Sequence, residues 1–243
     1  MSLEELSAAG YELETRNHAR AVLESDFPGP LAEICDSLLE LEIFDTEFIR
    51  GGGGESAITQ RLKRSLAGRG WNTKRVLTRQ IVDESEFSSS TYAIDHYRPT
   101  ESGAIALDIE WNNKDPFFDR DLGTFRRLHA VGAVSVGVVV TRGSSIQEEL
   151  PTIVRECALA HGVASLEDLG QFELEPTSRQ RRLIANRREP EFIDAWTAVF
   201  IADKFGAATT HWSKLMDRLT RGVGNPCPLL LIGIPASVVT RSR

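Results

Sequence analysis

Residues 92–113 read YAIDHYRPTESGAIALDIEWNN. The stretch is built largely of strand-forming apolar residues, yet it carries Asp95, Asp108 and Glu110. Successive side chains on a strand point to opposite faces. From Ile105 onward, Ile105, Leu107, Ile109 and Trp111 fall on one face, and Ala106, Asp108, Glu110 and Asn112 on the other. The first face suits a core. The second sets two carboxylates side by side, which repel each other unless a cation lies between them. A solvated strand face with two incidental acids is the plain alternative.

The flanking sequence supplies a frame for these acids. Upstream, residues 76–82 and 92–97 read as strands joined by the polar turn DESEFSSS. Before them, ESAITQRLKRSLAGRGW follows a run of four glycines (residues 51–54) and carries Ile58, Leu62 and Leu66 at helical spacing. Gly68 and Gly70 close that helix. The glycine run lacks the Gly-Lys-Ser/Thr of a nucleotide-binding loop; it is either a phosphate site at a helix N-terminus or a linker. Downstream, residues 119–130 read as a helix with Leu122, Phe125, Leu128 and His129 inward, and AVSVGVVVT (133–141) as a strand buried on both faces. Further helices are expected at 2–25, 31–41, 145–161 and 191–200, and a late strand at 227–235. The order predicts an α/β fold, a central mixed sheet flanked by helices. A single domain over 1–243 is expected, with an N-terminal helical part (1–50), a core (51–142) and C-terminal helices with a last strand (143–243).

Composition narrows the class. The chain has 243 residues, 41% hydrophobic and 26% charged, enough for one fairly large core. No apolar run reaches membrane-spanning length, and the acidic start MSLEELSAAG is no signal peptide. Cys35, Cys157 and Cys227 are far apart without Cys-x-x-Cys spacing, so zinc and disulfides are not expected, and a reducing, cytoplasmic setting fits. The net charge of −7 speaks weakly against nucleic acid, but distribution matters more than the sum. Basic residues cluster at 61–75 and 178–188, and again as Arg218, Arg221, Arg241 and Arg243. Each cluster is either part of a basic cleft or a solvated helix face.

A hairpin-like return would bring Asp95 beside Asp108 and Glu110. Three carboxylates on one point bind a hard cation such as Mg2+. A bound Mg2+ acidifies a water and neutralises the charge of a phosphoryl transition state. The matching reaction is phosphodiester hydrolysis.

An Asp followed on the next strand by Asp/Glu-x-Lys is the pattern of the PD-(D/E)xK nucleases, with Glu110 here at the Lys position. IDHYRPTESGAIALDIEWNN, with ITQRLKRSLAGRGW before it, resembles the BglII/BamHI group of type II restriction endonucleases, in which Glu or Gln replaces that Lys. The resemblance covers residues 51–142. It implies a restriction-endonuclease-like core, Mg2+ held by Asp95 and Asp108 with the Ile109 carbonyl, and Glu110 holding or activating the attacking water. It also implies that Asn112, Asn113, Lys114 and Asp115 lie where the chain turns toward DNA. The family's further polar residue, upstream of the first Asp, has Lys74, Asp83, Glu84 and Glu86 as candidates.

Lys63 and Arg64 on the upstream helix would meet phosphates, which position DNA without reading it. Lys214, Arg221 and Asn225 either contact DNA or belong to a helix and loop leading into the sheet. Rather than bases, His129 reads as helix packing and His96 as pointing away from Asp95 along the strand. The expected protein is a Mg2+-dependent homodimer cutting double-stranded DNA at a short palindrome. The alternatives are a repair or modified-DNA nuclease of the same superfamily, or a DNA-binding protein with a nuclease-like core. A two-carboxylate glycosidase fits poorly with 7% aromatic residues and basic clusters.

Overall fold

Two fully buried strands, β6 (Val136–Arg142) and β7 (Leu229–Ile234), form the middle of a six-stranded sheet ordered β1-β7-β6-β5-β4-β3. Numbering runs in chain order. β5 (Gly103–Glu110), β6 and β7 are mutually parallel, while β1 (Glu12–Arg16), β4 (Ser85–Thr100) and β3 (Asn72–Val82) pair antiparallel. The sheet is therefore mixed. β2 (Ile43–Phe44) and β8 (Val239–Thr240) make a short parallel pair apart from it. The computed structural model describes residues 2–51, 54–189 and 191–242. Gly52 and Gly53 of the glycine run, and Arg243 of the third basic cluster, lie outside the described residues.

The alternation of β5 divides the core. Ile105, Leu107 and Ile109 join Val136, Val138 and Val140 on one side of the sheet, under α1 (Leu3–Ala8), α2 (Ala19–Asp26), α3 (Pro28–Leu39), α4 (Thr46–Ile49), α5 (Ala57–Gly68), α7 (Ser144–Ala160), α8 (Ser178–Ala185) and α9 (Phe192–Lys204). Ala106 joins Val139, Leu229 and Leu231 on the other side, under α6 (Pro116–Ala130) and α10 (Trp212–Thr220). Gly137 sets the height of α6. A Cβ there would lie 2.4 Å from the Phe125 ring, so only glycine lets the helix rest on β6 at this depth.

Two readings of the sequence change, and a third is resolved between its alternatives. The expected helix over 2–25 is α1, then β1 as an edge strand on β7, then α2. Leu13, loosely in register with a helical stripe, packs onto the core from a strand instead. The N-terminal part is thus woven into the sheet. Second, DESEFSSS is not a turn. Only Asp83 and Glu84 turn, both with positive φ (49° and 63°) as a tight two-residue hairpin requires, and the serines belong to β4. Third, THWSKLMDRLTRG holds the helix α10.

β5 pairs with β4 only at residues 96–100. Beyond that, β3 and β4 pair only with each other and project as a two-stranded ribbon. Nine residues of β3, from Lys74 to Val82, carry it about 30 Å past the sheet. Leu77, Ile81, Val82 and Phe87 stand exposed on it.

Candidate active site

The acids gather where β4 and β5 meet. Two steps of β3, from Asn72 to Lys74, lie against three steps of β4, from Tyr97 to Ile94, so β4 carries a bulge at Asp95–His96. The Thr73 hydroxyl donates to the Asp95 carbonyl at 3.3 Å. The bulge lets Ile94 enter the core under α6 while Asp95 stays at the exposed rim. The Asp95 amide donates to the Asp108 carboxyl, which is 7% exposed. Glu110, 3% exposed, follows on the same face of β5.

α6 then delivers two residues to that face. Asp121 is buried, and Arg120 lies against it with Nε 2.7 Å from Oδ1. The same guanidinium reaches Glu110 Oε1 at 3.4 Å, and the Asn113 amide donates to Oε2 at 2.6 Å. The carboxyls of Asp108, Glu110 and Asp121 are all raised above the ordinary range, each first by burial; the charge of Asp121 then adds to the rise of Asp108 and Glu110, while Arg120 partly offsets that of Asp121. Glu110 and Asp121 act on each other within this cluster. As two carboxylates neither could donate, and Asp121 Oδ2 is buried without a donor.

Glu110, Asn113 and Arg120 border an open cleft of about 560 Å3 at the C-terminal end of β5, and Asp108 and Asp121 are buried behind its lining. Asp95, His96, Ile109, Glu110, Asn113 and Arg120 line it, facing Glu55 and Ser56 at the start of α5. Ser56 caps that helix, accepting from the Thr59 amide at 3.1 Å. His96 is buried, its Nδ1 3.1 Å from the Leu107 carbonyl and its Nε2 without a partner. Burial lowers its pKa, and at the bulge the ring borders the same cleft as Asp95, although strand alternation alone would turn it away. His129 is 2.9 Å from the Val134 carbonyl, a structural contact.

β4 and β5 carry Asp95, Ile109 and Glu110 to one cleft, with Asp108 buried behind it. The expected convergence on one point does not hold: among the described residues no three His, Cys, Asp or Glu side chains are grouped so as to hold a metal ion. Asp108 and Glu110 are two residues apart on one strand, roughly 7 Å along it. Asp108 leans on Asp95, while Glu110 is drawn to Asn113 and Arg120. The donor set itself fits a hard cation, being carboxylate oxygen throughout. The orphaned Asp121 oxygen and the raised carboxyls mark an unbalanced negative charge that a divalent cation would compensate.

Residues 112–115 are tied inward more than the sequence suggested. Asn112 donates to the Lys204 carbonyl at 3.0 Å, Asn113 holds Glu110, and Asp115 pairs with Arg218 at 3.1 Å and Lys214 at 3.7 Å. Lys114 is exposed. Lys63 pairs with Glu55 at 3.5 Å beside the cleft, and Arg64 is exposed on the same helix. Arg221 and Asn225 are elsewhere. They precede β7, which runs parallel to β5, so they lie at the opposite end of the sheet from Glu110. Asp83 and Glu84 sit at the ribbon tip, and Glu86 faces Arg79 there at 3.8 Å. They and Lys74 are absent from the cleft lining, where Glu55 stands instead.

Sequence reasoning missed Asp121, Arg120 and Arg142. Asp121 had a signal: it is an acid on the inward stripe of α6, beside Phe118, Leu122 and Phe125. Arg142 had none. It ends β6 fully buried, donating to the Thr210 carbonyl at 2.8 Å and the Thr209 hydroxyl at 2.9 Å. Burial lowers its pKa to about 9. Thr210 in turn accepts from the Asn113 amide at 3.0 Å and donates its own amide to the Asn113 carbonyl at 2.8 Å. The line from Arg142 through Thr210 and Asn113 to Glu110 fixes the loop that orients the acid.

No curated protein matches the chain. The family described as restriction endonuclease BglII/BglIII matches residues 11–234, nearly the full length, and among the described residues no helix is long and apolar enough to cross a membrane. With the mixed sheet, the helices on both faces and the carboxylates at one strand end, the chain belongs to the BglII/BglIII restriction endonuclease family.

Proposed function

We propose that this chain is a type II restriction endonuclease that hydrolyses double-stranded DNA at a short palindrome, with Mg2+ and as a homodimer. The observation that carries the reading is a group of acids at one strand end, Asp95 and Glu110 lining an open cleft with Asp108 and Asp121 buried behind them. Asp95 and Asp108, with the Ile109 carbonyl, are the groups that would hold Mg2+. Bound there, it supplies an acidified water and charge neutralisation at the phosphoryl group. Glu110, oriented by Asn113 and ionised once a cation offsets the cluster, would hold the attacking water and take its proton as the water oxygen bonds to phosphorus, the phosphorus–oxygen bond to the leaving strand breaks, and the leaving oxygen takes a proton from solvent.

Lys63, Arg64 and Lys214 flank the cleft as phosphate contacts, and Lys114 is the side chain of residues 112–115 free to reach a base edge. One chain carries one such cluster, so cutting both strands of a palindrome takes two chains. The test is incubation with plasmid DNA and Mg2+, followed by sequencing of the fragment ends. Ends falling at one short palindrome, with no cutting in EDTA, are expected. Persistent activity in EDTA, or ends at random sequence, would overturn the reading. Light scattering at micromolar protein should give twice the chain mass.

A further inference from the structure

The active-site cleft does not end at α5. Arg50, Gly51 and Lys204 line both the cleft and a second groove over α9, and that groove shares Thr177, Gln180, Val199 and Asp203 with a third under α8. The three depressions form one continuous trough. Its entrance is braced: Lys204 Nζ donates to the Phe48 and Arg50 carbonyls at 2.9 and 2.8 Å, and burial lowers its pKa to about 8. Its far wall is α8, from SRQRRLIANRR.

α8 is an independent, well-formed wall. Thr177 and Gln180 make a reciprocal capping box, and Ile184 anchors the helix to the core. Arg179, Leu183 and Arg187 recur every four residues and line the trough. Arg179 makes no ion pair among the described residues. Arg187 meets Glu189 at 3.3 Å, an exposed pair of little net value that a phosphate can replace. Glu175 and Asp203 are the acids of the two outer grooves, where Asp203 is already engaged by Gln180 at 2.8 Å, and Arg50 meets Glu173 at 3.2 Å in another exposed pair.

We infer that this trough is a second DNA-contact surface, carrying the sugar–phosphate backbone of duplex flanking the cut from the cleft across Arg50 and Lys204 to Arg179 and Arg187. The inference rests on the nuclease reading. The apolar floor, Leu183 and Val199, faces the sugars, and the arginines face the phosphates. Such contacts add affinity and salt dependence without sequence preference.

The experiment measures binding of the full chain to a duplex of 40 base pairs and random sequence, in EDTA, over a series of salt concentrations. The pair Arg179→Ser and Arg187→Ser should lower the slope of log affinity against log salt by roughly 1.8, about 0.9 for each phosphate lost. The control pair, Arg181→Ser and Arg188→Ser, lies on α8 and its C-terminal extension but outside the trough lining and should leave the slope unchanged. Equal losses in both pairs would mean diffuse charge attraction and would overturn the proposed path, as would an unchanged slope in the trough pair. Should the trough pair fail to fold by circular dichroism, Leu183→Glu, which sets a like charge on the floor, gives the same readout. Duplex binding by the parent chain with no response to these variants defeats the trough alone. Absence of any duplex binding defeats the nuclease reading with it.

Discussion

The strand β4 contains two different environments. Its base, residues 96–100, is clamped against β5, with β3 reaching it only at Tyr97, and the bulge above it presents Asp95 to Asp108. Its outer half, residues 85–94, pairs with β3 alone, and beyond Ile94 and Tyr92 it leaves the core. The backbone hydrogen bonding is alike in both. What differs is burial. The clamped half stands over a core that excludes water, so neighbouring carboxyls are desolvated and their charges strongly felt. The ribbon has strand geometry and no such medium. Regular pairing makes the element, while packing on both faces makes it able to hold strained chemistry.

That contrast can be broken in several places. Asp108→Asn strikes the buried half hardest: cleavage of plasmid DNA in Mg2+ should fall roughly a thousandfold, the scale of losing one charge-stabilising group in a dry site. DNA binding, by titration in EDTA, should change little. Undiminished cutting at saturating Mg2+ would remove Asp108 from the chemistry. Ile94→Ala sits where β4 passes under α6 and is fully buried, so unfolding by urea should show a loss of about 2–5 kcal/mol. A loss near zero would place the boundary of the clamped region below Ile94.

Asn113→Ala removes the amide that holds Glu110. Single-turnover cleavage should slow by about 10–100-fold, the usual cost of removing an orienting partner. If specific binding weakened instead, with the rate at saturation intact, Asn113 would be reading DNA rather than positioning Glu110.

The buried carboxyls also make a sign-specific pH prediction. Asp108, Glu110 and Asp121 are raised in the folded chain, so the folded state binds more protons than the unfolded one from the ordinary carboxylate range, about 4, up to the raised values. That stability is complete below this window and is lost as pH climbs through it. In EDTA, Tm should therefore fall between about pH 5 and pH 8, and Asp121→Asn should flatten the fall. Calorimetric scans with identical slopes for both proteins would show that the cluster is solvated.

The smallest effect belongs to the ribbon. Ile81→Ala, at 66% exposure, should change stability by no more than about 0.5 kcal/mol, against the several expected at Ile94. A larger cost would mean that the ribbon packs against something in solution, a second copy being the first to check by light scattering.

By itself the sequence determined the parts governed by local periodicity. The two-residue alternation of IALDIEW gave the core face and the acid face of β5, because a strand fixes that period whatever surrounds it. The valine run gave a central strand, the i, i+4, i+8 stripe gave α5, and the three scattered cysteines are free and buried as composition implied. Tertiary structure decided what depends on partners distant in the chain. β1 became a strand only because β7 offered an edge, and the bulge at Asp95 exists only in the register of β3 against β4. Asp121 reached Glu110 because Gly137 lets α6 settle on β6, and Arg142 reached the loop of Asn113 through Thr210, 68 residues away. Pattern records which face a side chain takes. Which other side chain waits there is set by long-range packing, and the raised carboxyls arise only once that packing has excluded water.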